Sequence, residues 1–159
     1  MAATFHRITP FLWFDTQAEE AAAFYVSIFP NSKITSVTRY SEEVSAASGR
    51  PPGSVMTVAF ELDGQPITAL NGGPTFTFNQ ALSLVVHCHD QREIDHYWEE
   101  LSAGGDPATQ ACGWLNDRYG LSWQIVPADI ERLVQNPGSV AALMHMTRLD
   151  IAALEAAAT

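Results

Sequence analysis

Residues 110–127, QACGWLNDRYGLSWQIVP, set two short β-rich runs on either side of the turn Asn116-Asp117-Arg118-Tyr119-Gly120. The stretch holds Trp114, Tyr119, Trp123, Cys112 and Gln124. Large aromatics beside isolated amides are the materials of a small-molecule pocket built on a sheet. Side chains alternate across a strand, so Gln124 and Ser122 share one face while Leu121, Trp123 and Ile125 share the other. On the preceding run, Gln110, Cys112 and Trp114 fall on one face by the same rule.

Working outward, the pattern of elements occurs twice. Residues 7–14 read as a strand, and Asp15 or Thr16 caps a helix over residues 17–29, with Ala21, Phe24, Tyr25, Ile28 and Phe29 at helical spacing. Pro30-Asn31 ends it. Residues 32–40 alternate as a strand, residues 41–53 form a polar loop with Gly49 and Pro51-Pro52, and residues 54–62 and 65–70 flank the hairpin signal Asp63-Gly64. After the break Gly72-Gly73-Pro74 come a strand over 81–88, a helix over 91–101 ended by Gly104-Gly105, strands over 109–115 and 119–126, and a helical tail from 128 with a break at Asn136-Pro137-Gly138. The order β-α-β-β-β followed by β-α and at least two strands predicts an α+β fold of paired modules, residues 1–74 and 75–159, within one structural domain. A ferredoxin-like sheet shares the alternation and is the competing topology.

Bulk properties narrow the function classes. A chain of 159 residues, 47% apolar and 16% charged, has the composition of a globular protein. A formal charge of -10 argues against nucleic acid and against an anionic membrane surface. Two cysteines, Cys88 and Cys112, make no disulfide framework, and the opening MAATFHRITPFLWF has no signal-peptide pattern. The expected location is the cytoplasm.

Several segments carry a more specific match: ITPFLWFD (8–15), EEAAAFY (19–25), LNGGP (70–74), FNQALSL (78–84), EIDHYWEEL (93–101), CGWLNDRYGLSWQIVP (112–127) and TRLDIAALE (147–155). In this order they resemble the PhnB-like branch of the vicinal oxygen chelate superfamily, the glyoxalase and bleomycin-resistance fold. The resemblance implies two βαβββ modules whose sheets curl into half-barrels, followed here by C-terminal helices, and it implies a homodimer. Members of this branch often bear the label 3-demethylubiquinone-9 3-methyltransferase.

The resemblance also implies where a metal would sit, on the first and fourth strands of each module. The first-strand position falls among Ile8, Thr9 and Pro10, and its counterpart in the second half is Ser83 or Leu84. The fourth-strand positions fall near Asn71 and at Gln124, where metal-dependent relatives place glutamate in the second half. Neutral amides and hydroxyls are weak donors for divalent ions, so neither a metal nor another cofactor is expected. Among the five histidines, His87 and His89 lie two apart at a strand end, where a weak metal site competes with a plain solvent-facing pair. His96 and His145 read as surface residues, and His6 precedes the first strand, too early to be the missing ligand.

The candidate ligand-binding set is Thr9, Trp13, Asn71, Ser83, Cys112, Trp114, Ser122 and Gln124. Its aromatic walls and neutral hydrogen-bonding groups suit a planar or moderately apolar small molecule better than a highly charged one. Each has a structural alternative: the tryptophans as core, Gln124 as a partner for buried backbone, Cys112 as an inert thiol. Three functions stay open. They are a metal-independent small-molecule-binding protein, a metal-dependent lyase or dioxygenase-like enzyme, and a methyltransferase. Against the last, Gly72-Gly73 runs into Pro74 rather than into a helix that would cradle S-adenosylmethionine.

Overall fold

Leu12 and Phe14 are buried while Phe11 is exposed, and this alternation fixes the first strand in its sheet. The computed structural model describes residues 4–158. The strand β1 (Phe11–Phe14) is shorter than the run 7–14 suggested, because Pro10 precedes it and the residues before that are exposed. It is followed by α1 (Ala18–Ile28), β2 (Lys33–Arg39), α2 (Glu42–Ser48), β3 (Val55–Leu62) and β4 (Gln65–Asn71). The strand order is β1-β4-β3-β2, with β1 parallel to β4 and the other pairs antiparallel. Val58, Phe60, Ile67 and Ala69 are buried on alternate positions of β3 and β4. Helix α1 buries Ala21, Ala22 and Tyr25, and the Tyr25 ring lies 6.3 Å from that of Phe60. The opposite sheet face carries Phe11, Trp13, Thr68, Leu70 and Thr57 by alternation.

Residues 41–53, expected as a loop, contain the helix α2. Its signals are local: the Ser41 side chain accepts from the Val44 amide, Glu42 and Glu43 occupy the first turn, and Gly49 closes it at φ 73°.

The second unit begins with β5 (Ser83–Cys88) and α3 (Gln91–Ser102), continues through a 3-10 turn at Pro107–Thr109 to β6 (Trp114–Asn116) and β7 (Ser122–Pro127), and ends in α4 (Ile130–Leu133), α5 (Pro137–Leu143) and α6 (Ile151–Ala157). Its strand order is β5-β7-β6, with β5 parallel to β7. The 3-10 turn stands where the first unit has β2, so this sheet has three strands among the described residues. Ile94, Trp98 and Leu101 on α3 are buried, as are Trp123 and Ile125 on β7. Val126, Leu133, Leu149 and Leu154 form a separate small core that holds the terminal helices. Contacts divide the chain into Met1–Thr77 and Phe78–Thr159. Among the described residues, no helix is long and apolar enough to cross a membrane.

The expected strand 109–115 is interrupted. Ala111 and Trp114 exchange both backbone hydrogen bonds, at 3.1 and 2.8 Å, across Cys112-Gly113. Both central residues have positive φ, 55° and 85°, as a tight two-residue hairpin turn requires. Alternation therefore cannot place Gln110, Cys112 and Trp114 on one face.

Candidate functional site

Ser83, Ser122, Gln124 and Trp114 come together on one face of the β5-β7-β6 sheet. Ser83 pairs with Ser122 in register, Gln124 with Trp114, and Ser122 with Asn116. Gln124 Nε2 donates to Ser83 Oγ at 2.8 Å, which holds the carboxamide across the two parallel strands. The donated bond engages Nε2, and Gln124 Oε1 accepts no hydrogen bond among the described residues. Gln124 and Trp114 are half-buried, and Ser122 beneath them is fully buried. The Ser122 hydroxyl has no hydrogen-bond partner among the described residues. Asn116 belongs to the same polar stripe and was not singled out from the sequence. Alternation from Trp114 marks it, but its place in the turn motif hid it.

The other candidates are placed elsewhere. Cys112 sits in the tight turn and faces the terminal segment: its amide donates to Met146 O at 2.8 Å, and its Sγ lies 3.6 Å from Met144 O. Thr9 is exposed and precedes β1. Trp13, in the first unit, donates from Nε1 to Gly73 O at 2.9 Å and meets the Phe76 ring edge-on at 4.9 Å. Asn71 turns toward α1. Its Oδ1 accepts from the Ala18 amide at 2.8 Å, and its Nδ2 donates to Val55 O at 3.1 Å. Gln17, the residue before α1, makes no side-chain cap bond, so the cap expected of Asp15 or Thr16 comes instead from Asn71 on β4.

The turn after Asn116 is structural. Asp117 is buried, and its carboxylate accepts from the Tyr119 amide at 2.8 Å, the Leu121 amide at 3.1 Å and Trp123 Nε1 at 2.9 Å. Gly72 and Gly73 are structural as well. A Cβ on Gly72 would lie 2.3 Å from the Trp13 ring, and Gly73 supplies the carbonyl that the indole donates to. Neither glycine opens a helix.

The metal centre that the family resemblance implies would draw its donors from the first and fourth strands of each module. Among the described residues, no group of three or more His, Cys, Asp or Glu is arranged to hold a metal ion. At the implied positions stand a hydroxyl and a carboxamide already bonded to each other, and an asparagine engaged with a helix terminus. Divalent ions need several converging imidazole, carboxylate or thiolate donors, and these residues do not fit one. His87 and His89 are both exposed. Cys88, buried on the other face of β5, has its thiol pushed up to about 12 by burial and then by Glu93 and Asp90, which makes it a poor nucleophile.

Comparison with known proteins agrees with this architecture. The family model described as 3-demethylubiquinone-9 3-methyltransferase matches residues 6–126 and so stops before the terminal helices. The PhnB protein from Bacillus cereus, which carries the same family description, is 36% identical, with 76% of this chain and 99% of that chain covered at a TM-score of 0.66. Protein PA1353 from Pseudomonas aeruginosa, at 17% identity, shares the fold over 77% of this chain and 98% of its own, with a TM-score of 0.58. None of the curated proteins matches the sequence. With its two curved, mixed sheets and its helical tail, the chain belongs to the 3-demethylubiquinone-9 3-methyltransferase family, the PhnB-like branch of the vicinal oxygen chelate superfamily with the glyoxalase and bleomycin-resistance fold.

Proposed function

We propose that the chain binds a planar, uncharged small molecule on the polar stripe of its second sheet, without a divalent metal, and acts as a homodimer in the cytoplasm. One observation carries this reading: the Gln124–Ser83 hydrogen bond at 2.8 Å. It presets a neutral acceptor beside the Trp114 ring, where a metal-dependent relative would need charge. An aromatic wall with a few fixed polar atoms is the usual composition of a small-molecule site.

The family description favours a second reading, transfer of a methyl group to a demethylubiquinone. A quinone ring is planar and neutral, so it suits the same stripe. The glycines that sequence alone would offer to a nucleotide are occupied by Trp13 and its hydrogen bond.

Tryptophan fluorescence titrated with a water-soluble methoxyquinone lacking an isoprenoid tail, a neutral ring, tests the binding reading. Saturable quenching that weakens in Gln124→Ala and Ser83→Ala is expected; linear quenching identical in all three proteins would contradict it. A melting-temperature rise with S-adenosylmethionine would turn the conclusion toward the methyltransferase.

A further inference from the structure

The first unit contains a cleft that the polar stripe does not explain. It has a volume of ≈ 260 Å³ and is lined by Thr16, Glu19, Arg50, Ser54 and Asn71, among others. That lies just below the range of about 300–1,000 Å³ typical of drug-sized ligands, so its occupant is compact.

Arg50 is the unusual member. Its side chain is only 20% exposed, and its ion pair with Asp15 is long, Nη1 to Oδ1 3.9 Å. Among the described residues, its guanidinium makes no hydrogen bond. A largely buried cation held by one long ion pair keeps its donors available, and a guanidinium can grip a carboxylate in bidentate fashion. Its backbone is held on both sides: the Ser45 hydroxyl donates to Arg50 O, and the Arg50 amide donates to Ser48 Oγ at 3.2 Å. Arg50 Nη1 packs close to Gly73, 2.9 Å from where a Cβ there would stand, so the glycine leaves room for the guanidinium at this place. The guanidinium is therefore positioned rather than free to sweep through solvent.

Glu19, on the exposed side of α1, lines the same cleft and takes part in no ion pair or hydrogen bond among the described residues. The cleft thus presents an acid and a base that are not paired with each other. Thr16 adds a hydroxyl that makes no hydrogen bond among the described residues, whereas both polar atoms of the Asn71 side chain are already engaged.

We propose that this cleft binds a small amino carboxylic acid, its carboxylate on the Arg50 guanidinium and its ammonium on the Glu19 carboxylate. The inference stands apart from the stripe on the second sheet and does not depend on it.

Calorimetry at low salt with L-alanine, 4-aminobutyrate, propionate and propylamine tests the proposal. At least one amino acid should bind about tenfold or more tighter than propionate, since a charge-assisted hydrogen bond contributes about 1.5–3 kcal/mol and each 1.4 kcal/mol is tenfold. Glu19→Gln should bring that amino acid down to the level of propionate, and Arg50→Gln should abolish binding of both. Should Arg50→Gln fail to fold, Glu19→Gln on its exposed helix face decides alone. No binding by either amino acid, equal binding of propionate, or an amino-acid affinity unchanged in Glu19→Gln would each overturn the proposal.

Discussion

The indole of Trp13 occupies the space that a side chain on Gly72 would fill, with ring carbon Cζ2 2.3 Å from the position of a Cβ there. The Gly72-Gly73-Pro74 run therefore serves as a seat for an aromatic ring on β1, locked by the bond from Trp13 Nε1 to Gly73 O. Phe76 closes the seat edge-on.

Gly72→Ala should displace the indole, because a rigid ring cannot yield at that distance. Overpacking of this kind costs about 1–3 kcal/mol. The expected signature is a lower melting temperature together with a changed near-ultraviolet circular dichroism band. An unaltered band with unaltered melting would show that the ring does not sit there.

Asn71 joins β4 to α1 and β3 through two hydrogen bonds, and its carbonyl also accepts from the Tyr40 hydroxyl at 2.5 Å. Asn71→Ala leaves the Ala18 amide and the Val55 carbonyl without those partners, at a cost of about 1–3 kcal/mol. Urea unfolding should show a lower midpoint with an unchanged slope. Asn71→Asp keeps the acceptor near the positive end of α1 and should recover part of the loss. If instead Asn71→Ala keeps full stability, the side chain is not the helix cap.

The two thiols should behave differently. Cys88 is buried and its thiol is pushed up to about 12, whereas Cys112 is half-exposed in a turn. A disulfide reagent at pH 8 should label one thiol per native chain quickly, and Cys112→Ser should remove that reaction. The same shift has a stability consequence. The unfolded thiol ionises near its ordinary 9.0 while the folded one stays protonated to about 12. The unfolded state then holds fewer protons, so stability falls as pH rises through that window. Cys88→Ala should flatten the decline relative to the parent. Rapid labelling of both thiols in the native protein would contradict the burial.

Local signals carried much of the fold. Asp63 at φ 46° and Gly64 at φ 80° form the β3-β4 hairpin that their sequence announces, and Pro137 and Asn136 begin α5 where the break was read. Helix α2 was also written locally, in Ser41, Glu42 and Gly49, but the polar composition of the segment outweighed the cap pattern. What was not legible depends on distance or on paired dihedrals. Nothing near α1 reveals that Asn71 caps it, since the bond spans β4 to the helix. Cys112 lies in an otherwise β-like run, so its positive φ was invisible and strand alternation misassigned its direction. Ser83 and Gln124 were singled out separately, and only the parallel register of β5 and β7 brings them into one hydrogen bond.

The proposed binding face carries neutral donors, and two of them, Gln124 and Ser83, are bonded to each other. Elemental analysis of protein purified without chelator, with EDTA-treated protein melted alongside, tests it most directly. The expected result is far less than one equivalent of zinc, nickel, manganese or iron per chain, with the same melting temperature after EDTA. One equivalent of any of these ions, lost in Gln124→Ala or Ser83→Ala, would contradict it.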